Sequence, residues 1–351
     1  MLKPCSVRNL EDGAPASPPR GQRRVALRWG GLFLVSVALF YLLFRKLDLS
    51  EFLGALRTAD WRLIALSAAL SLGLCNGAAI ARLWILLREL PHTRGALTFY
   101  ELTSLHFASS AAHNLLPAPA GEVMRTVQLY RLHGYTVGVL VAAQLVEKIL
   151  EALGLGLETL ACAAFAVVPK VLGYSLYAFA LLGTAGAGLI LFIAWRWELA
   201  HPIGTEVPSE ILPSRAELGR LGWLRVVLGG FICKLGEGLR LLRRGRVLGW
   251  AFFFSTVADL VNALTVGLCL YAVGISLPVP SWFLLMLVAR AAGLLPTTPG
   301  QFGVLEAGLV LALSALGVDR GRALAFSLLY HTAHFAPVTL AGLFEMRRQL
   351  K

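Results

Sequence analysis

The sequence predicts an all-α integral membrane protein. Hydrophobic residues make up 57% of its 351 residues, charged residues only 15%, and the mean hydropathy is +0.70. Several apolar runs reach the roughly 20 residues that a helix needs to cross the hydrocarbon core. Two breakers rich in proline and glycine, at 116–122 and 295–301, interrupt other apolar segments. From these three observations we predict six full spans and two re-entrant hairpins, about eight membrane segments in all.

The net charge of +12 is compatible with nucleic-acid binding, but the basic residues stand between apolar spans and not in a soluble domain. The positive-inside rule and attraction to anionic lipid explain them better, so we expect no nucleic-acid partner. The five cysteines are scattered, with no CxxC pair. We read them as small buried side chains and expect neither a metal site nor a cofactor.

The first segments follow from composition. Residues 1–24 are rich in proline, glycine and arginine, which predicts a disordered cytoplasmic tail. The apolar run at 25–44 is long enough to span and has no small-residue cleavage site after it, so we expect a retained helix. An amphipathic connector follows at 45–60. The second span, 61–87, has tryptophan near each end, and its Arg82 is placed to snorkel toward the interface.

The first breaker predicts a hairpin. An apolar arm at 96–115 runs into it, and the chain leaves through 122–133, about a dozen mostly polar residues. At 1.5 Å per residue such an arm cannot cross a core of about 30 Å. We therefore expect it to return to the side that it came from. Its polar residues recur at three-residue spacing on one side of the helix: Glu122, Arg125, Gln128 and Arg131.

The rest of the chain follows a similar order. A long span at 136–168 carries four charged residues, and the polar stretch at 196–246 contains a basic amphipathic helix near 216–244, expected on the cytoplasmic leaflet. Two apolar arms, 281–295 and 304–317, flank the second breaker. The other spans are predicted at 171–195, 247–273 and 323–344. We thus expect a membrane domain at 25–345, with halves at 25–168 and 171–345.

The distribution of arginine predicts the orientation. The basic segments are the N-terminus, 88–94, 125–131, 215–246 and the C-terminus. The positive-inside rule places them all, and therefore both termini, in the cytoplasm of an inner (plasma) membrane protein. Each half then holds three spans and one hairpin, and because three is odd the second half is inverted relative to the first. The connector at 45–62, with four basic residues on the outer side, runs against the rule.

Both breakers follow the pattern L-P-x-x-x-G-[E/Q] and should place the N-terminus of an exit helix near the membrane centre. Unpaired N–H groups and the helix dipole make such an end an anion site, and glycine lets a phosphate approach the backbone. The alternative is that the prolines only kink packed helices. The candidate binding residues of the breakers are Pro117, Gly121, Pro296, Pro299, Gly300 and Gly303.

Several charged side chains near the breakers are further candidates. Glu122 and Glu306 lie in the first turn after their breakers, where a carboxylate either caps free N–H groups or serves binding. Arg125 is placed to hold a lipid phosphate or to pair with Glu122 or Glu147. Arg290 lies within an apolar arm, where a charge costs roughly 2.5–3.5 kcal/mol at the bilayer centre, so it needs a partner or a cavity.

Other polar residues within the spans have both a structural and a functional interpretation. Glu147 and Glu151, one turn apart, form either a proton relay or, as we favour, charge partners of Arg125 and Arg290. His331 and His334 lie three positions apart with no cysteine or carboxylate nearby in the sequence, so they do not predict a metal site. His106, His113 and Asn114 should hydrogen-bond the backbone opened by the first breaker. No nucleophile–base arrangement is evident, so no catalytic residue is predicted.

Three motifs carry a family resemblance: LPAPAGEVMR at 116–125, VEKILE at 146–151 and LPTTPGQFGVLEA at 295–307. In this order they resemble the flippase-like membrane domain of lysylphosphatidylglycerol synthetases and their stand-alone relatives. The chain departs from the family pattern at Gln301, where a second glycine is usual, at Glu151, where aspartate is common, and at His331, where arginine is often found. The soluble aminoacyl-transfer domain has no counterpart here, so we do not expect this chain alone to synthesise lysyl-lipid.

The resemblance implies handling of lipid head groups or lipid-linked intermediates. We therefore expect a lipid flippase or lipid-handling transporter that holds an anionic or zwitterionic head group between the breakers. Helix N-termini and Arg125 would bind it, and Glu122 and Glu306 would orient the loops. A membrane-embedded transferase of glycolipid or polyprenyl-phosphate assembly is the alternative, and a non-catalytic partner in envelope biogenesis is a third. Homo-oligomer formation stays open.

Overall fold

The computed structural model describes residues 49–116, 120–164, 234–293 and 299–349, together with 178, 181–189, 192, 196 and 230. Every element in this part of the chain is helical, which confirms the all-α class. The tail, the first predicted span, most of the span at 171–195 and most of the amphipathic segment lie outside the described residues.

The first helices begin and end at recognisable signals. Asp60 caps the helix at 61–70 by accepting a hydrogen bond from the Arg62 N–H (2.9 Å). A wide turn then continues it without a break, because the Asn76 side chain donates to the Ser71 carbonyl (2.7 Å) inside the turn. The result is one 28-residue helical segment. The elements are α1 (Leu49–Thr58), α2 (Trp61–Leu70), the π-helical turn Ser71–Cys75 and α3 (Asn76–Arg88).

The first breaker separates α4 (Phe99–Leu115) from α5 (Ala120–His133). A capping box between Thr98 and Glu101 starts α4, and Leu116 ends it in an extended conformation, as a residue before proline must. The two arms lie against each other. A Cβ added to Gly121 would come within 2.2 Å of the Ser109 carbonyl oxygen, so the absence of a side chain permits this close packing.

The remaining elements follow the predicted order with small shifts of their ends. Pro299 begins a short turn at the second breaker, and Pro337 lies inside the last helix. The elements are α6 (Val137–Ala164), the 3₁₀ turn Arg240–Arg243, α7 (Gly245–Ala272), α8 (Val279–Gly293), the 3₁₀ turn Pro299–Gln301, α9 (Val304–Ala315) and α10 (Arg320–Gln349).

Helix lengths and contacts repeat between the halves. The first half contains the segment α2–α3 with 28 residues, hairpin arms of 17 and 14, and α6 with 28. The second half contains α7 with 28 residues, hairpin arms of 15 and 12, and α10 with 30. Each last helix packs on the other half's hairpin: α10 on α4, and α6 on α8. The segment α2–α3 packs on its counterpart α7. These contacts join the two halves, while α10 also packs on α9 and α6 on α5 within their own halves.

The outer surface of these helices is apolar. Two of the described helical segments, 61–88 and 245–272, are long and apolar enough to cross a membrane. Large hydrophobic side chains on them face outward, among them Leu66, Phe253 and Leu260. Inside, one hydrophobic cluster is built mainly from α7 to α10 and a second mainly from α3, α4 and α6. The charged residues described next lie on α3, α5, α6, α7 and α8.

Candidate functional site

Arg82, Arg125, Glu147 and Glu151 form a group that we call the first charge cluster. The first three side chains are largely buried, and that of Glu151 is 41% exposed. Arg82 donates through Nη2 to Glu147 Oε1 (3.1 Å) and Glu151 Oε1 (2.9 Å), and through Nη1 to Ser255 Oγ (3.2 Å). Arg82 as a whole is only 9% exposed. The prediction that Arg82 snorkels is therefore wrong. Two carboxylates one turn apart on α6 neutralise its charge, so the side chain turns inward.

Glu147 binds two arginines at once. Its Oε1 accepts from Arg82, and its Oε2 accepts from Arg125 Nη2 at 3.1 Å. The predicted pairing of Glu147 with Arg125 is thus present. Arg290, predicted as the other partner of this acidic pair, makes no ion pair with it, and Arg82 takes that place.

Lys148 and Glu122 lie at the exposed side of the first charge cluster. The Lys148 ammonium is 3.0 Å from Glu151 Oε2 and 3.8 Å from Glu122 Oε1. Their side chains are exposed by 60% for Lys148 and 43% for Glu122, so the cluster reaches the protein surface here. Among the described residues Glu122 pairs with Lys148 and not with Arg125.

Arg290, Glu158 and Asp259 form a second charge cluster, deeper along α6. Arg290 Nη1 donates to both oxygens of Glu158 (3.1 and 3.2 Å), and its Nη2 donates to Asp259 Oδ1. The predicted need of Arg290 for a partner is confirmed, since it has two. Gly154 makes the arrangement possible, because a Cβ there would lie 2.8 Å from Asp259 Oδ2.

Glu306 ties the second breaker to the last helix. The residue is fully buried, its Oε2 accepts from the Gly303 N–H (2.6 Å), and its Oε1 lies 2.5 Å from His331 Nδ1. Glu306 therefore caps the free N–H of its helix, which is one of the two predicted roles. The ring of Phe302 covers His331, with centroids 4.5 Å apart.

The second breaker is tightly folded around positive backbone angles. Gly300 has φ +74°, and a Cβ there would approach the rings of Phe302 and Phe335 within 2.9 Å. Gln301, which replaces the usual glycine of the family pattern, adopts φ +59°. A residue with a side chain is strained in this region, whereas glycine adopts it without that cost.

The breaker glycines contact protein. Gly121 faces α4, and the Gly303 N–H is occupied by Glu306. Pro117 and Pro296 lie outside the described residues, and Pro299 opens the 3₁₀ turn. In the part of the chain that the structure describes, arginine side chains and not these two glycines are therefore the groups best placed to meet an anion.

Other polar residues link neighbouring helices. His334 Nε2 lies 2.9 Å from Thr265 Oγ1, and its Nδ1 lies 2.9 Å from the Tyr330 carbonyl. His106 contacts the side chain of Asn76 (3.0 Å), and Asn114 donates to Thr339 (2.8 Å). His106 and Asn114 thus join neighbouring helices, and a role of these two residues and His113 at the opened backbone stays a prediction, because 117–119 lie outside the described residues. Within the described residues no group of three or more His, Cys, Asp or Glu could hold a metal ion.

Comparison with known proteins identifies the family of the chain. The family described as "Lysylphosphatidylglycerol synthase TM region" matches residues 29–342. The chain belongs to that family. The resemblance seen in the three motifs is thereby confirmed, and a member of this transmembrane-region family with these apolar helices is a multi-pass membrane protein.

Two relatives come from Methanothermobacter thermautotrophicus. One is 27% identical over 319 residues, covering 88% of this chain and 90% of the relative. The other is 24% identical over 261 residues, covering 71% and 73%. Each is described as a "UPF0104 membrane protein", a name that states a location and no activity.

Three members of the charge clusters were not among the predicted site residues of this lysylphosphatidylglycerol synthase relative: Arg82, Glu158 and Asp259. A signal for them exists in the sequence. Each is an ionisable residue inside an apolar span, where an unpaired charge is expensive. Counting such residues would have nominated all three, although it could not have said which of them pair.

Proposed function

We propose that this protein binds the phosphate of a lipid head group at the first charge cluster and moves the lipid between leaflets. It would thus act as a flippase or lipid-handling transporter of the cell envelope, in the inner membrane, with both termini cytoplasmic. One observation carries the proposal. Arg82 Nε is buried and has no hydrogen-bond partner among the described residues, although buried donors in proteins are almost always satisfied.

Arg125 is the residue that we expect to bind the phosphate directly. It uses one nitrogen on Glu147 and no other carboxylate among the described residues, and its side chain is 14% exposed. The rest of its planar fork is free to form a bidentate contact with a phosphate. Arg82, which already binds three side chains, would hold Glu147 in place and offer its Nε to the same anion.

The exposed side of the cluster gives a head group a route of entry. Lys148 and Glu122 lie there with opposite charges, and among the described residues the Glu122 carboxylate pairs only with Lys148, at 3.8 Å. A zwitterionic head group could place its ammonium at Glu122 and its phosphate at Arg125. An anionic head group would need only the arginines and Lys148. We therefore propose both zwitterionic and anionic lipids as substrates.

Movement between leaflets would use the relation between the halves. We propose that the two hairpins are re-entrant and that the halves form an inverted repeat, as the odd number of spans per half requires. The exchanged packing of α10 on α4 and α6 on α8 supports this. Pro117, Pro296 and Pro299 would keep the breakers open, and the glycines 121, 300 and 303 would allow their tight folding. Glu306 would hold the second breaker in shape.

Reconstitution in liposomes tests the function. Purified protein is inserted into vesicles that carry head-group-labelled anionic or zwitterionic phospholipid, and the fraction of label accessible from outside is followed in time. Wild type should speed exchange of at least one lipid, and Arg125→Ala should abolish it. Arg131→Ala, which removes an exposed arginine from the same helix, is the matched control and should retain full exchange.

Two outcomes would contradict the proposal. If wild type exchanges none of these lipids, the flippase function is wrong, and a transferase or an assembly role takes its place. If Arg125→Ala and Arg131→Ala slow exchange equally, the loss reflects general surface charge and not a phosphate site at Arg125.

A further inference from the structure

We propose that the second charge cluster, formed by Arg290, Glu158 and Asp259, holds one proton and that this proton is coupled to the position of α8. The inference adds an energy source to the proposed function. Its transport consequence rests on that function, whereas the existence of the proton site does not.

The first step is the balance of buried charge. Three arginines lie within the two clusters: Arg82, Arg125 and Arg290. Four carboxylates face them: Glu147, Glu151, Glu158 and Asp259. With Lys148 on Glu151, the carboxylates of the first cluster are balanced, whereas in the second Arg290 alone faces two carboxylates, so one negative charge is in excess there when all are ionised. A buried carboxylate without a counter-charge usually becomes neutral by binding a proton, because desolvation disfavours its charged form.

The second step places the excess. In the first charge cluster Arg82 and Arg125 offset Glu147 and Glu151, and Lys148 adds a further contact to Glu151. In the second, one arginine serves two carboxylates. Those side chains are only 7% and 18% exposed, for Glu158 and Asp259. Both carboxylates converge on the single guanidinium of Arg290, which brings their negative charges close together.

The third step considers every ionisable group that faces the pair. On α6 the neighbour is Glu151, and from α3 it is Arg82, which is already committed to the first charge cluster. Cys75, whose Sγ lies 3.7 Å from the Ala258 carbonyl, and Tyr330, whose hydroxyl donates to Asn262, are close to Asp259 along α7 and uncharged at neutral pH. In the described part of the chain we find no second cation that could take the place of the proton.

The fourth step links the proton to the second hairpin. Arg290 is on α8, the first arm of the second hairpin, whereas Glu158 is on α6 and Asp259 is on α7. The arginine therefore ties the hairpin to two long helices. Hydrogen bonds between charged groups are stronger than those to a neutral acid. Binding or loss of the proton thus changes how firmly α8 is held, and by linkage the position of α8 changes the affinity for the proton.

Infrared difference spectroscopy on the full chain in lipid nanodiscs tests the proton site. Raising the pH should remove the carbonyl band of a protonated carboxylic acid from the wild-type spectrum. Glu158→Gln and Asp259→Asn should each lack this titrating band, because one carboxylate then matches one arginine. Both variants keep the charges balanced and should fold. Glu237→Gln, which neutralises a carboxylate paired with Lys234 elsewhere, is the control and should keep the band.

A band that persists in both single variants would overturn the proton site, as would a wild-type spectrum with no titrating carboxylic acid. The coupling is tested in liposomes with a pH difference across the membrane. Wild-type lipid exchange should change severalfold when the gradient is collapsed, and exchange by Glu158→Gln should not respond. Wild-type exchange that ignores the gradient would overturn the coupling. Absence of any lipid exchange would instead contradict the proposed function and leave the infrared result to decide the proton site.

Discussion

Glu306 on α9 and His331 on α10 are joined by a 2.5 Å contact between Oε1 and Nδ1, at a site where both side chains are almost fully buried. The same carboxylate accepts from the Gly303 N–H, so a single side chain joins the breaker, the helix that follows it and the last span. Several properties of the protein should therefore respond to changes at this residue.

The first prediction concerns Glu306 itself. Glu306→Ala should lower the free energy of unfolding by roughly 1–3 kcal/mol for each buried group that loses its partner, namely the Gly303 N–H and the His331 ring. Glu306→Gln keeps an acceptor for the Gly303 N–H and should cost less. Thermal unfolding in detergent measures both. Equal losses for the two variants would show that the hydrogen bond at Gly303 contributes nothing to stability.

The second prediction separates the two arginines of the first charge cluster. Arg125→Ala should barely affect stability, because Glu147 keeps Arg82 as its partner. Arg82→Ala removes the shared partner of two carboxylates and should cost about 3–5 kcal/mol. Arg125→Lys should keep part of the lipid exchange, since lysine retains the charge and loses the fork. Unfolding temperatures and exchange rates of the three variants provide the measurement.

A double variant adds a control to that test. Glu147→Gln combined with Arg125→Ala removes both members of the ion pair. If Arg125 binds phosphate, the double variant should stay inactive in lipid exchange. Recovery of full exchange would mean that Arg125 only balances the charge of Glu147, and the binding assignment would be wrong.

The third prediction concerns the packing of the first hairpin. Gly121→Ala should destabilise the protein by about 1–3 kcal/mol, since the new Cβ would lie 2.2 Å from a backbone oxygen of α4, which cannot move freely. Gly77→Ala is the matched control in α3, where nothing lies within 4 Å of the added atom. That change should be neutral or stabilising, because alanine favours helix by about 1 kcal/mol. Similar thermal shifts for the two would refute the close packing.

The fourth prediction concerns Gln301. Gln301→Gly should relieve the cost of a left-handed backbone at a residue with a side chain, roughly 1–2 kcal/mol. The gain should appear as a higher unfolding temperature. Gly317→Ala, at another positive φ angle and with open space around it, should shift stability the opposite way. A loss of stability in Gln301→Gly would mean that the glutamine side chain contributes more than the backbone strain costs.

The fifth prediction concerns topology. Single cysteines placed at 125–131 should react with a membrane-impermeant reagent only from the cytoplasmic side, and those at 274–280 only from outside. The reason is the positive-inside rule combined with three spans per half. Labelling of 125–131 from outside would remove the re-entrant hairpin and with it the inverted repeat.

The sequence predicted the helices better than the charge pairs. Prolines and glycines marked the ends of the hairpin arms, because their effect on the backbone is local. The ion pair of Arg125 and Glu147 could also be predicted, because only 22 positions separate the two residues. Arg290 and Glu158 are 132 positions apart, and their pairing depends on α6 packing against α8. Periodicity says nothing of such contacts.

Arg82 illustrates the same limit from the opposite direction. Its place near the end of an apolar span fits a side chain that reaches for the interface. Which way it turns depends on the helix that covers it, and here α6 and α7 supply Glu147, Glu151 and Ser255. A single sequence contains the charge of each group but not the neighbour that neutralises it.

The packing of α10 along α4 has a consequence for biosynthesis. Gly342 lies so close to the Phe107 carbonyl that any side chain would collide with it, and this contact joins residues more than two hundred positions apart. A ribosome delivers the first hairpin long before the helix that covers it. Until α10 has been translated, the surface of the arms at 99–133 that it covers must contact the insertion machinery or lipid instead. The first hairpin therefore reaches its final packing only after α10 has been made.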